Sequence, residues 1–241
     1  MRLIVQYTKD DTIKYISHLD LVRTIQRALR RGNIPITYTQ GFNPHPKLAF
    51  AAPLSVGITS QGEYMDVSLE EPMNPHDFCC KMNKVLPKGI EFLKAVETEH
   101  NTPSLMSLVE RAEYDIHIFK PNPEIERHLE NFINQREIIA EKHGKKGSKL
   151  LDIKEMIHRF QVKEVNSQEA IINVILSAGS EKSLNPELLL NTIFAFMGIE
   201  NWESIQYKIH RRNLFIHQNG QWVTPLALGK GEARVEQADH C

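Results

Sequence analysis

A helix with both ends marked follows directly on an alternating strand, and no other junction constrains the fold of this chain as much. Ser17 stands where an N-cap belongs, Asp20 sits three residues on as a capping-box acid, and Gly32 follows the last turn. On a helical wheel of residues 18 to 31, Leu21, Val22, Ile25, Ala28 and Leu29 fall on one side. That side needs an apolar surface to cover. Residues 2 to 8, which alternate as a half-buried strand, offer one.

The pattern continues in the same style. Strands are expected at 46 to 52 and 62 to 70, on either side of a turn-rich stretch from Ser55 to Gln61. A helix over 75 to 86 starts behind Asn74 with Pro75 in its first position, and a strand follows at 90 to 96. This order, βαββαβ, is that of the ferredoxin-like plait. After a linker at 98 to 112 the order recurs, with strands at 113 to 119, 137 to 142, 170 to 176 and 205 to 210 and helices at 123 to 134 and 185 to 197. The expected class is therefore α+β, with tandem ferredoxin-like domains over 1 to 97 and 113 to 228, antiparallel sheets, and a flexible polar tail at 229 to 241. The two halves share element order and no obvious residue identity. A basic insertion near 142 to 168 is longer than a hairpin loop requires. Its Lys145, Lys146 and Lys149 form a secondary phosphate-contact candidate, although no Walker pattern is present.

Charge narrows the partners. The 29 Lys and Arg residues are balanced by 30 Asp and Glu, so a nucleic-acid surface has to be a local patch. The three cysteines, Cys79, Cys80 and Cys241, make neither a CxxC pair nor an iron–sulfur spacing. The first residues lack a signal-peptide apolar core, and no apolar run reaches membrane-spanning length. The expected setting is the cytoplasm, without membrane contact.

Two features point to chemistry. Arg23, Arg27, Arg30 and Arg31 lie opposite the apolar side of the first helix, near Asp20. Guanidinium forks match phosphate, so the stripe suits an RNA backbone or another phosphate ligand. The competing reading is an ordinary solvated helix face. The second feature is the turn Tyr38-Thr-Gln40-Gly41-Phe42-Asn43-Pro-His45-Pro-Lys47. Gly41 gives backbone freedom, Asn43 before Pro44 favours a turn, and Tyr38 and Phe42 flank it as base-stacking residues would. His18 and His45 are weak catalytic candidates, and convergence of His18, Asp20, His45 and Asp66 is an open question. No metal is expected, because no HxxxH or HxH spacing occurs.

Ser17-His-Leu-Asp20, Arg27-Ala-Leu-Arg-Arg31, the turn from Tyr38 to Lys47, Pro53-Leu-Ser-Val-Gly57 and Gly62-Glu-Tyr-Met-Asp66 together resemble the radical-SAM-associated (radical-SAM-linked) bacterial proteins, a domain of unknown function. The resemblance is specific over residues 1 to 95 and looser to about 220. It implies an accessory protein of a radical SAM enzyme that carries a cobalamin-binding-like domain. The iron–sulfur cluster, SAM and cobalamin would belong to that partner, since this chain has no CxxxCxxC motif and no expected cofactor of its own. The genomic setting of such proteins suggests RNA or a ribosomal component as a further partner. Two alternatives stand beside this reading. One is a metal-independent endoribonuclease of the CRISPR RAMP type, using His18 or His45; the other is a pure protein–protein adaptor.

Overall fold

In the computed structural model, which describes residues 1–144, 147–199 and 204–230, the chain is α+β with antiparallel strand pairs. It divides into two compact units, Met1–Val109 together with the chain from Asn213 onward, and Glu110–Arg212.

The first unit runs β1 (Arg2–Lys9), α1 (His18–Arg31), β2 (Leu48–Phe50), β3 (Thr59–Ser68), α2 (Pro75–Asn83), β4 (Phe92–Thr98) and the single turn α3 (Leu105–Leu108). Its strands lie in the order β4-β1-β3, with β2 on β3. Val5 is registered against Met65 on one side and Ala95 on the other. Because side chains alternate along a strand, Leu3, Val5, Tyr7, Met65, Val67 and Leu69 share one face. That face is buried against Leu21, Ile25, Ala28 and Leu29 of α1 and Phe78 and Met82 of α2. Arg2, Ile4, Tyr64 and Asp66 have the opposite phase and point to the other face.

The α1 start is built as its sequence predicts. Ser17 Oγ accepts from the Asp20 N–H at 3.1 Å and donates to Asp20 Oδ2 at 2.7 Å. Ser17→Ala is expected to cost about 1 kcal/mol in urea denaturation and Ser17→Asn much less; equal losses would refute capping as the role of this hydroxyl. At the other end, Gly32 donates to the Ala28 carbonyl at 2.8 Å with φ −76°, and the left-handed residue is Asn33 at φ 47°. Gly32 is thus the C-cap, directly after the last helical residue Arg31, as the sequence predicts.

The second unit comprises most of β5 (Val109–Phe119), then α4 (Ile125–Ile133), β6 (Ile139–Gly144), β7 (Gly147–Asp152), β8 (Ile157–Val165), β9 (Glu169–Ser177), α5 (Pro186–Phe196) and the start of β10 (Tyr207–Gln218). The strand order is β10-β5-β9-β8. Three expectations need correction here. Among the described residues, the strand expected at 137 to 142 pairs with β7 alone, in a separate two-stranded sheet closed by the Ile153 N–H on the Ile138 carbonyl at 2.8 Å. Its expected place beside β9 belongs to β8, inside the stretch read as an insertion. Register shifts between Ile157 and Arg159 and between Val162 and Glu164 break the two-residue period of β8, which hides it from pattern reading. Finally, β5 begins at Val109, within the expected linker.

In the first unit, β11 (Gln221–Val223) folds back on β10, and a 3-10 turn covers Pro225–Leu228. Gly229 and Lys230, expected in the tail, are ordered against β4: the Lys230 N–H reaches the Glu97 carbonyl at 2.7 Å. Residues 231 to 241 lie outside the described residues.

Candidate nucleic-acid interface

Arg23, Arg27, Arg30 and Arg31 are all exposed along α1. Asp20 is the only acid on this helix, and it meets Arg23 at 3.4 Å, an exposed pair of little energetic weight. Arg31 donates to the Val85 carbonyl at 2.6 Å and thereby ties the end of α1 to the end of α2. The side chains of Arg27 and Arg30 make no ion pair or hydrogen bond among the described residues. The helix thus holds a cationic row that its own unit leaves largely uncompensated.

The 38-to-47 turn is an ordered hairpin. Tyr38 bridges Pro46, the Thr39 N–H reaches the His45 carbonyl at 2.8 Å, and the His45 N–H returns to Thr39 Oγ1 at 3.0 Å. The root is tied to β3, with the Ser68 N–H on the Lys47 carbonyl at 3.0 Å and the Thr37 N–H on the Ser68 carbonyl at 2.8 Å. Gly41 takes φ 134°, a conformation that L side chains rarely adopt. Gln40, Phe42, Asn43, His45 and Lys47 are exposed, and the Phe42 ring is entirely so. Tyr38 differs: it packs against the core of the first unit and does not stand beside Phe42 as a second stacking ring.

His18, Asp20, His45 and Asp66 do not converge. The His18 ring stands edge-on to Phe50 at 5.2 Å, on the helix side of the sheet. Asp66 has the opposite strand phase, where it pairs with Arg2 at 2.7 Å and accepts from the Leu105 N–H at 3.4 Å. Asp20 is occupied with Ser17 and Arg23, and His45 is out on the hairpin.

The charged groups that do face His18 are Lys9 and Glu63, each only 2% exposed. Together with Tyr7, Ser17 and Leu54 they line a small crevice at the start of α1. Lys9 Nζ donates to the Lys14 carbonyl at 2.9 Å. Burial pushes the His18 pKa down, Glu63 opposes that and Lys9 adds to it, so the ring is neutral at about pH 7. Sequence reading passed over this cluster, although a signal exists. Lys9 continues the core phase of Leu3, Val5 and Tyr7, and Glu63 that of Met65, Val67 and Leu69. Charged residues at core-phase positions mark a buried polar site. No group of three or more His, Cys, Asp or Glu side chains able to hold a metal occurs among the described residues.

In the second unit Lys149 is exposed on β7, whereas Lys145 and Lys146 lie outside the described residues. A polar network there was also unforeseen. Asp115 Oδ1 receives Asn173 Nδ2 at 2.7 Å and Lys163 Nζ at 3.3 Å, and its Oδ2 receives Arg212 Nη1 at 2.9 Å. Asn173 also donates to Glu113 at 3.0 Å and accepts from Arg159 at 2.6 Å. Burial alone would raise the Asp115 pKa, but the Asn173, Arg212 and Lys163 donors outweigh it and hold the carboxyl below its ordinary range. Among the described residues, no helix is long and apolar enough to cross a membrane.

No curated protein matches the chain. Among solved structures it is similar to a chain in the crystal structure of a Cbf5-Nop10-Gar1 complex, at 14% identity and TM-score 0.50 over 88% of this chain and 48% of that one. It is also similar to a chain of an H/ACA RNP bound to a substrate RNA containing 2'-deoxyuridine, at 14% identity and TM-score 0.47 over 87% of this chain and 46% of that one. It spans about half the length of these chains, and the first likeness bears on fold alone. A family model matches residues 2–186, and the chain belongs to that family, described as uncharacterized protein conserved in bacteria (DUF2344).

Proposed function

We propose that this protein, built from two ferredoxin-like units, is a non-catalytic RNA-binding accessory protein of a radical SAM enzyme. The observation that carries RNA binding is the exposed α1 arginine row, in which Arg27 and Arg30 lack any described counter-charge. An uncompensated guanidinium row on a rigid helix is suited to a regular array of phosphates. The hairpin adds a fully exposed Phe42 ring, offered to a base or to the partner enzyme. The radical SAM association rests on the motif resemblance, and cluster, SAM and cobalamin would reside in the partner.

The test uses Arg23, Arg27 and Arg30, since Arg31 also holds the Val85 carbonyl. The triple alanine variant should stay folded and lose salt-sensitive RNA binding. Its slope of log K against log salt should fall by roughly 2, about 0.7 for each single-strand phosphate that is no longer neutralised. An unchanged slope sinks the reading. Cleavage of the RNA by the purified protein, lost in His18→Ala, would support the endoribonuclease instead.

A further inference from the structure

We infer that Tyr15 and Leu19 extend the arginine row into a site for single-stranded RNA, in which Tyr15 stacks a nucleobase while Arg23 and Arg27 hold successive phosphates. The inference rests on the RNA-binding reading above and adds the class of RNA and an unassigned residue.

The spacing comes first. Leu19, Arg23 and Arg27 follow one another at four-residue intervals, so they form one surface row with roughly 6 Å of helix rise per step. Tyr15 lies four residues before Leu19, just ahead of the Ser17 cap. Both apolar side chains are out in water, Tyr15 at 73% exposure and Leu19 at 65%. Along the chain, the exposed side chains thus pass from aromatic and apolar, just before and at the start of α1, to cationic along the helix.

The Tyr15 backbone is well anchored. The Ile13 N–H bonds the Asp10 carbonyl at 3.3 Å, and the Ile16 N–H bonds that of Ile13 at 3.0 Å. The Gly57 N–H bonds the Lys14 carbonyl at 2.8 Å, which pins the segment to the loop before β3. A β-carbon added at Gly57 would come within 4.0 Å of the Tyr15 ring, so the ring lies beside that loop. Lys14 Nζ, paired with Asp11 at 3.1 Å, sits 5.3 Å from the ring centroid. An anchored backbone leaves less freedom to be lost when a base stacks on the ring.

The ligand has to combine regularly spaced anions with an accessible planar apolar face. A single strand provides both, since each nucleotide carries a phosphate and an unpaired base. Duplex RNA presents phosphates but keeps its base faces inside the stack. An acidic peptide has the charge without the planar rings. The arginines alone would accept any of these, and Tyr15 selects among them.

Fluorescence anisotropy with labelled oligouridine of roughly eight nucleotides, and with a duplex of the same length, tests the assignment on the full chain. The single strand should bind at least tenfold more tightly. Tyr15→Ala should weaken it roughly 5- to 100-fold with the salt slope unchanged, and Tyr15→Phe should bind like the parent. Circular dichroism checks that the exposed substitution leaves the fold intact. Binding that needs the arginines but ignores Tyr15→Ala, or that treats duplex and single strand alike, overturns this inference and leaves the RNA-binding reading standing. So does a Tyr15→Ala variant that keeps RNA affinity but loses its complex with the radical SAM protein. Absence of binding to either RNA overturns both.

Discussion

Arg2→Met is expected to destabilise the first unit by about 3–5 kcal/mol at about pH 7, the cost of stranding a buried carboxylate. Arg2 and Asp66 meet at 2.7 Å with side chains only 12% and 9% exposed. The same guanidinium also donates to the Thr102 and Pro103 carbonyls, so it clamps β1, β3 and the segment after β4. Burial raises the Asp66 pKa, and Arg2 opposes that without cancelling it. A carboxyl with a raised folded pKa holds its proton more tightly in the folded state, so its contribution to stability falls as pH rises through that pKa. Removing Arg2 lifts the pKa further and enlarges the fall. The deficit of Arg2→Met should therefore be largest near neutrality and shrink on acidification, in a window lying wholly above the ordinary carboxylate range. Urea titrations at about pH 7 and about pH 4 measure it. A deficit of equal size at both would mean that lost packing, and not the stranded charge, sets the cost.

Legibility of the fold in the sequence tracked how local the determining interactions are. The α1 and α2 starts were readable because their caps, Ser17 with Asp20 and Asn74 with Pro75, are written within four residues. The exposed arginine row was readable for the same reason, as helical spacing alone fixes which residues share a face. β8 was not, because its two irregularities displace the alternation that a strand is recognised by. The hairpin was foreseen as a turn, yet the burial of Tyr38 depends on the distant strand β3, to which the root is tied. The separation of Asp66 from His18 also follows from register, since Tyr7 lies opposite Glu63 and puts Glu63, not Asp66, on the helix side. That cluster of Lys9, Glu63 and His18 was within reach of a stricter reading of strand phase. The pairing of Asp115 with Asn173 was not, for the two are 58 residues apart.

Asn173→Leu should be the most damaging polar substitution in the second unit, at about 2–4 kcal/mol. Asn173 is fully buried on β9 and serves Glu113 and Asp115 as donor and Arg159 as acceptor. Leucine keeps the volume and removes every one of those bonds. Lys163 and Arg212 remain on Asp115, but both are more than a third exposed, so solvent screens what they can recover. The pH signature separates this loss from that of Arg2→Met. Asp115 has a lowered folded pKa, so the stability it confers is present above its unfolded pKa and lost as pH falls through the folded one. Without Asn173 the folded pKa moves up, and the margin of the parent over the variant narrows across an acid window that reaches below the ordinary carboxylate range. Denaturation midpoints followed through the acid range, with the Asp115 carboxyl titrated by NMR, decide the matter. If the variant loses under about 1 kcal/mol, or if the Asp115 titration stays where it was, the donors on the exposed side carry the carboxylate unaided. The buried amide would then need some other reason to be there.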